Sequence, residues 1–477
     1  MYATTLLPVV TRRRLLQRIG SLAAGLAGVG GLAACGSSSA AATAALSSAP
    51  ATLVSGGAAT THATMAVGTP PQAATEAGGA AQPITVSTWG GTAEVAVRKE
   101  LLQAFDQQHN GAHVTLQVLP GGQPFYDKLQ AAMAGGVPPD VFYMGPDNFP
   151  AFVGKQVMLP ITSFMQRDKY DAADFWPGPL GQYANKGSQY GLPRGVASNI
   201  LYYNSDLFKK VGVPLPPTDW TSSSWTWQSF LEACSKLSQT GGTTPTFAFA
   251  GLTGFYAWFM WVRQNGGAVL SSDLTTCTMT DAKTQEALQY LHDLMYKYNV
   301  APTPADLKKQ NAMARFQSGN LAMLSGIRAG LAGYQAIKGF AWDIAPYPNG
   351  AARSATSLQG VGYCIATGSK AKDNAWQVLQ FMCSPASETK EMATGTVMPA
   401  RQSVCRSKAF LASPTHAEVF LSAMDHAEVP PFNVHWQAMA PILDKELANL
   451  WANTATVQVA TQNIVSQVNA ILQQPAS

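Results

Sequence analysis

From residue 84 onward the chain switches between two hydrophobic periods, and no other feature constrains its fold as much. Ile84 to Trp89 is a short apolar strand, and Gly90-Gly91-Thr92 breaks it and opens a helix with Leu101, Leu102 and Phe105 on one side. Val114, Leu116 and Val118 alternate with Thr115 and Gln117, the spacing of a half-buried strand. Phe125, Leu129 and Met133 recur at helical spacing until Gly135-Gly136 and Pro138-Pro139 stop the helix. Val141-Phe142-Tyr143-Met144 is the next strand, ended by Gly145-Pro146. Strands separated by helices predict an α/β fold with mixed, mostly parallel sheets flanked by helices.

The second half keeps the habit. Asn199 to Tyr203, Thr246 to Ala250, Leu321 to Leu324, Trp342 to Ala345 and Gly362 to Ala366 read as strands. Thr226 is placed to cap a helix opening at Trp227. Gly254 to Gly267 reads as an aromatic-rich helix closed by glycine, and Ala287, Leu291, Leu294 and Tyr298 form a helical stripe. Ala375 to Met382 is a further helix, and the tail from His435 onward reads as helical to its end.

Residues 36–82 are a different material. They consist largely of Ala, Ser, Thr, Gly and Pro, with Glu76 as the one charge and no aromatic residue. Such a stretch buries too little apolar surface to offset its ordering entropy, which predicts a disordered tether. Residues 83–477 exceed one typical core and predict two lobes.

Ahead of the tether, Thr11-Arg12-Arg13-Arg14-Leu15-Leu16 leads into an Ala/Gly/Leu run ending in Leu32-Ala33-Ala34-Cys35. A basic segment, a short apolar run and small residues before a cut describe an export signal over residues 1–34 rather than a membrane-spanning helix. Arg12-Arg13 resembles the twin-arginine signal. Leu-Ala-Ala-Cys resembles the bacterial lipobox, in which the cysteine, here Cys35, is lipidated with chains such as palmitate. An ordinary signal peptide with an incidental cysteine is the alternative. One acyl chain anchors only marginally, so a lipoprotein needs two or more. The expected location is the outer face of the cell membrane.

The formal charge of +4 belongs to that signal, because residues 1–34 contain four arginines and no acid. The rest is balanced, which points away from nucleic acid as a partner. The cysteines after Cys35 are Cys234, Cys277, Cys364, Cys383 and Cys405. The odd number leaves at least one thiol free, and mostly buried thiols with one or two bridges are expected. His109, His113, His416, His426 and His435 have no metal-ligand spacing, so no metal or cofactor is expected.

The order of landmarks resembles the extracellular solute-binding proteins of bacterial ABC importers, in the sugar-binding group that includes maltose-binding protein and glycerol-phosphate-binding relatives. The landmarks are Thr85-Val86-Ser87-Thr88-Trp89, Gly136-Val137-Pro138-Pro139-Asp140-Val141, Leu192-Pro193 and Leu201-Tyr202-Tyr203-Asn204-Ser205-Asp206-Leu207-Phe208. Val211-Gly212-Val213-Pro214, Trp225-Thr226-Trp227-Gln228-Ser229-Phe230 and Phe316-Gln317-Ser318-Gly319-Asn320-Leu321-Ala322-Met323 follow. Pro346-Tyr347-Pro348, Ala375-Trp376-Gln377-Val378-Leu379 and Thr394-Gly395-Thr396-Val397-Met398-Pro399 complete the series. Each alone is a turn, a cap or a buried strand, and their order over residues 84–477 carries the resemblance.

That resemblance implies a two-lobed periplasmic-binding-protein fold of type II-like form, with a ligand cleft between the lobes that closes by hinge motion. By analogy lobe 1 comprises 83–193 and 362–408, and lobe 2 comprises 194–361 and 409–477. The chain would cross near Leu192 to Gly195, near Leu358 to Gly362 and near Val404 to Phe410. Gly195, Gly360 and Gly362 suit hinges or turns, and both readings stand.

A sugar receptor needs flat aromatic rings for the C–H face and rigid donors and acceptors for the hydroxyls. The loops after strand ends, where open α/β sheets bind ligands, offer Trp89-Gly90-Gly91, then Tyr143 and Asp147. Gly90 and Gly91 let backbone N–H groups approach a ligand. Tyr256, Trp258 and Trp261 share one short helix, on which one tryptophan is expected to face the cleft and the other the core. By resemblance Ser325 and Arg328 occupy ligand-contact positions, with Arg328 where maltose-binding protein has an aromatic residue. Trp436 resembles that family's stacking tryptophan, and Gly360 lies at the second crossing. Arg194 is placed to pair with Asp147, to grip an anion or to face solvent. Trp220, Trp225, Trp227, Trp342 and Trp376 are read as core or cap packing.

The implied partners are a small sugar or phosphorylated polyol, the importer's permease subunits and the membrane through the anchor, with the protein a monomer. A glycerol phosphate or glycerophosphodiester is the alternative ligand, met by Arg194 and Arg328. A secreted glycoside hydrolase is the rival from another class, and would need two convergent carboxylates from candidates such as Glu94, Asp140 and Asp147.

Overall fold

The computed structural model describes residues 83–109, 112–241 and 245–475. The export signal, Cys35 and the tether through residue 82 lie outside the described residues. Apart from a small hairpin of Ala184–Asn185 and Ser188–Gln189, the strands are β1 (Ile84–Thr88), β2 (Val114–Val118), β3 (Val141–Met144), β4 (Gly191–Ser198), β5 (Ile200–Asn204) and β6 (Phe247–Ala250). They continue with β7 (Leu321–Gly326), β8 (Trp342–Ala345), β9 (Thr356–Ile365), β10 (Met398–Pro399) and β11 (Ala427–Glu428). The larger sheet runs β10-β4-β9-β3-β1-β2 with β11 beside β9, and the smaller runs β8-β5-β7-β6. Each sheet is the spine of one lobe.

The sheets are mixed, but the expected parallel bias is too strong. β1 pairs in parallel with β2 and β3, and β6 with β7. In contrast β9 is antiparallel to both β3 and β4, and β5 is antiparallel to β7 and β8. These reversals arise from long-range pairing, which strand–helix alternation does not encode.

The principal helices are α1 (Thr92–Gln108), α2 (Gln123–Ala134), α3 (Trp227–Leu237), α4 (Phe255–Gln264), α5 (Ala282–Tyr296), α6 (Lys372–Met382), α7 (Pro385–Met392), α8 (Trp436–Trp451) and α9 (Val457–Leu472). Thr226 caps α3 by accepting from the Ser229 N–H, as its position predicts. α4 ends at Asn265, and Gly266 takes the left-handed turn that follows at φ +87°. The tail is two helices rather than one. Asn453 adopts positive φ after α8, and Thr456 accepts from Val459 N–H to start α9. The five cysteines are all buried and unbridged, so the expected one or two disulfides do not form among the described residues.

The lobes meet at Asn199, the single residue between β4 and β5. Its Nδ2 donates to Ser325 Oγ at 3.0 Å in the smaller sheet. Its Oδ1 accepts from Ser357 and Gln359 on β9, and its carbonyl accepts from Thr356 Oγ1 at 2.6 Å. One buried side chain thus ties both sheets at the crossing. β4 stays in the larger sheet to Ser198, so this passage comes a few residues after the expected Leu192 to Gly195. Gly195 and Gly360 are strand residues rather than turns, lying on the paired strands β4 and β9, and glycine is needed at 360 because a Cβ there would stand 2.9 Å from the Gly195 carbonyl oxygen.

Candidate functional site

The candidate residues fall into separate groups. The first lies at the carboxyl end of β1. Arg98 on α1 folds back over that strand end, and its Nη1 donates to the Trp89 carbonyl at 2.7 Å and to Thr88 Oγ1 at 3.0 Å. Gly90 is needed there, since a Cβ would stand 2.5 Å from Arg98 Nη2. The Gly91 N–H donates to Glu94 Oε2 at 3.1 Å. The two glycines therefore serve Arg98 and Glu94 rather than leaving both N–H groups free for a ligand.

Arg98 and Arg194 share Glu391 of α7. Arg98 Nε lies 3.3 Å from one carboxylate oxygen, and Arg194 Nε donates to the other at 2.6 Å. Glu94 completes the group, 3.5 Å from Arg98 and 3.3 Å from Arg194. Two guanidiniums thus meet two carboxylates, with Arg98 and Glu391 each 1% exposed and Arg194 5%. Burial is the largest single effect on Arg194 and opposes its charge, but Glu391 with Tyr143 and Tyr363 together outweigh it, and the net pKa shift is upward. Arg194 therefore pairs with Glu391 and Glu94, and not with Asp147. Tyr143 lies beneath, its ring centroid 4.9 Å from the Arg98 guanidinium. Burial pushes its hydroxyl up to about 12. Half-buried Trp89 rests edge-on against Tyr143 at 5.0 Å and Phe125 at 4.8 Å.

Three further candidates sit apart. Arg328 follows β7, and its guanidinium lies 3.8 Å over the Phe410 ring and donates to the Ser413 carbonyl at 3.1 Å. Burial shifts its pKa downward. Ser325 and Gly360 belong to the inter-sheet crossing at Asn199.

Asp147, Tyr256 and Trp436 do come together. They line a cavity of about 140 Å³ between the lobes, with Phe255, Phe432 and Asp444 among the other walls. Phe255 and Phe432 each meet the Trp436 ring edge-on at 4.8 Å. Asp147 stands in the turn after β3, where Gly145 N–H donates to Tyr126 Oη at 2.9 Å. Gln437 Nε2 donates to the Asp147 carbonyl at 3.2 Å and links α8 to the first lobe. Burial raises the pKa of both Asp147 and Asp444. Tyr256 is raised by burial and by Asp147.

A larger cavity of about 500 Å³ shares Phe432 with the first and reaches Phe149 and Gln182 on one side and Leu274 and Val434 on the other. Both amide atoms of Gln182 are buried without a hydrogen-bond partner among the described residues.

Trp258 is 1% exposed and Trp261 fully buried, so neither ring of α4 faces a cavity as one was expected to. The helix instead offers Phe255 and Tyr256 from its first turn. Trp436 is itself only 4% exposed, so it is packed and cavity-lining together. Sequence reasoning missed Phe255, Phe432, Asp444 and Gln182. Asp444 was findable, since it stands two helical turns beyond Trp436. The hydrolase candidates do not converge: Asp140 accepts from Thr85 N–H at 2.9 Å and Ser369 Oγ at 2.5 Å, and Glu94 belongs to the arginine cluster.

Residues 89–389 match the profile of a family described as bacterial extracellular solute-binding protein. A putative binding protein of Brucella abortus is 23% identical over 385 residues, covering 78% of this chain and 89% of the relative. The fold is similar to an ABC substrate-binding protein from Listeria monocytogenes solved in complex with cycloalternan, at TM-score 0.73 and 24% identity over 82% of this chain and 99% of that one. It is also similar to UgpB from Mycobacterium tuberculosis in complex with glycerophosphocholine, at TM-score 0.69 and 20% identity over 82% of this chain and 99% of that one.

Proposed function

The chain belongs to the bacterial extracellular solute-binding proteins, and from that premise we propose that it captures a neutral carbohydrate between its lobes and delivers it to an ABC importer. The observation that carries this reading is the lining of the central cavity. Phe255, Tyr256, Phe432 and Trp436 supply flat apolar faces for sugar C–H groups, and Asp147 and Asp444 supply acceptors for hydroxyls. Gln182, whose amide is buried without a partner among the described residues, stands in the wall of the adjoining cavity. The arginines that a phosphate would use are engaged elsewhere, Arg194 with Glu391 and Arg328 with Phe410 and Ser413.

Ligand contacts are accordingly assigned to Asp147, Tyr256 and Trp436, with Phe255, Phe432 and Asp444 added. Trp89, Gly90, Gly91, Tyr143 and Arg194 build the floor beneath the end of β1. Trp258 packs in the core, Arg328 braces the second lobe, and Ser325 and Gly360 serve the crossing. Binding proceeds without turnover.

A glycerophosphodiester of choline is the second reading, favoured by the same aromatic rings and carboxylates, which suit a quaternary ammonium. Thermal-shift screening of the purified protein against neutral saccharides and glycerophosphocholine separates the two, because a ligand bound only by the folded state raises the melting temperature. A shift with glycerophosphocholine and none with any saccharide overturns the first reading.

The same proposal includes export, lipidation at Cys35, a monomeric mature chain tethered through residues 36–82, and two lobes whose first crossing lies at Asn199 in place of Leu192 to Gly195. Its support is the Leu32-Ala33-Ala34-Cys35 junction, the composition of residues 36–82 and the family. No helix among the described residues is long and apolar enough to cross a membrane. Cys35→Ala is expected to release the protein from membranes or leave it uncleaved, as read by cell fractionation. A variant still processed and membrane-bound contradicts the anchor.

A further inference from the structure

Asp147 and Asp444 border one small cavity whose walls carry no positive charge among the described residues. No lysine or arginine lines that cavity or the larger one beside it, and His435, in the larger one, is the only basic side chain of their described walls. The two carboxyls stand in unlike settings. Asp444 is exposed on α8, whereas Asp147 is half-buried in the turn after β3. The Asp147 carboxyl folds back over Gly145, where a Cβ would stand 2.5 Å from Asp147 Oδ1 and 2.8 Å from Tyr126 Oη. Glycine at 145 thus makes room for a carboxyl and a phenol side by side.

The titratable groups around Asp147 are Tyr126 of α2, Tyr183 ahead of β4, Tyr256 of α4 and Asp444 of α8, with the Cys364 thiol of β9 behind the first two. Burial raises all three tyrosines, and the Asp147 charge adds to each. None of these groups can neutralise a carboxylate as Arg98 and Arg194 do for Glu391. Burial raises Asp147 itself, and the amides of Asn148 and Gln437 pull the other way without offsetting it. Asp147 keeps some exposure and lines the cavity, so a ligand filling that space takes further water from it.

Resting on the reading of this cavity as the ligand site, we propose that capture takes up a proton at Asp147, which then donates a hydrogen bond to the ligand while the exposed Asp444 accepts one. The proton comes from solvent, sits on the Asp147 carboxyl in the complex and returns to solvent on release. Unlike surroundings split two carboxyls into a donor and an acceptor in this way. The protonated group keeps its carbonyl oxygen as an acceptor and gains an O–H donor. The pair therefore selects a ligand that presents an acceptor to Asp147 and a hydroxyl to Asp444. Because the complex holds the proton more tightly than the free protein, affinity is greatest where Asp147 is protonated in both. It falls as pH climbs from the value in the free protein to the higher value in the complex.

Calorimetric titration of the full protein with the best-binding neutral saccharide, from about pH 4.5 to about pH 8 in paired buffers of different ionisation enthalpy, counts the protons. Wild type is expected to take up a fraction of one proton, with Kd rising about threefold or more across the range. Asp147→Asn, whose amide cannot ionise, is expected to lose most of the uptake and of the pH dependence, with melting curves confirming a folded variant. Asp444→Asn is expected to keep most of both. Proton release, or no exchange, with a saccharide that binds overturns the proton step and leaves the carbohydrate reading standing. Uptake that survives in folded Asp147→Asn places the proton elsewhere, His435 included, and overturns the assignment. If glycerophosphocholine binds and no saccharide does, the carbohydrate reading falls, and the same proton count on that ligand decides the proton step.

Discussion

At the end of β1 two guanidiniums and two carboxylates close on one another, whereas along α8 four aromatic rings border open space. Both regions hold residues that a sequence reader assigns to ligand binding. The first closes on itself in charge: Arg98, Arg194, Glu94 and Glu391 pair within the larger lobe, while Arg98 Nε and Nη2 and Glu391 Oε1 are left without a hydrogen bond among the described residues. The second is concave, with Phe255, Tyr256, Phe432 and Trp436 around the central cavity and two carboxylates at its edge. A charged residue taken from water must find a partner, so its presence near a strand end says little about ligands. An aromatic ring has no such obligation and can be left facing a cavity.

The contrast breaks most visibly if the charged cluster is opened. Glu391→Ala leaves Arg98 and Arg194 buried without their shared carboxylate, which is expected to cost about 3–5 kcal/mol of stability. Urea unfolding reads that loss, and a change below about 1 kcal/mol would make the cluster a loose, solvated group instead.

Trp89 tests the border between the regions. It packs edge-on against Tyr143 and Phe125 but lies outside the walls of the central cavity. Trp89→Ala is expected to lose about 2–3 kcal/mol of stability, somewhat less than a fully buried ring, while ligand affinity changes less than about threefold. A large affinity loss with unchanged melting would return Trp89 to the binding surface.

The smallest effect concerns pH. Burial raises Asp147 in the folded state, so the proton it holds contributes stability that is present below the ordinary carboxylate range, near 4, and is lost as pH rises through its raised value. Asp147→Asn has no such ionisation. The melting temperature of the ligand-free variant relative to wild type is therefore expected to climb between acidic and neutral pH. A constant difference across that range would show Asp147 to be freely solvated.

Much of the scaffold was legible because it is local. The spacing of Leu101, Leu102 and Phe105 marks a helix whose buried face is set by its own sequence, and the alternation of Val114 to Val118 marks a strand, although Val114 and Leu116 are only half-buried and Val118 is 41% exposed. Thr226 announced its helix. The pairing of β9 with β3 and β4 was not legible, because it joins segments far apart in the chain. The same holds for Glu391, which reaches Arg98 and Arg194 from nearly the other end. On α4 the sequence shows an aromatic helix but not which rings its packing buries, and the tryptophans went inside while Phe255 and Tyr256 stayed at the cavity. The break after Trp451 was readable in retrospect, since Thr456 is a capping residue before a new apolar run.

The central claim is that aromatic rings between the lobes, and not the arginine cluster, hold the ligand. Calorimetric titration of Tyr256→Ala and wild type with the best-binding neutral saccharide tests it most directly. Tyr256 is half-buried at the start of α4, so the variant should fold and can be checked by its melting curve. The predicted result is a loss of about 2 kcal/mol or more, roughly thirtyfold in Kd, as for a central aromatic anchor. Equal affinity in a folded Tyr256→Ala would contradict the account.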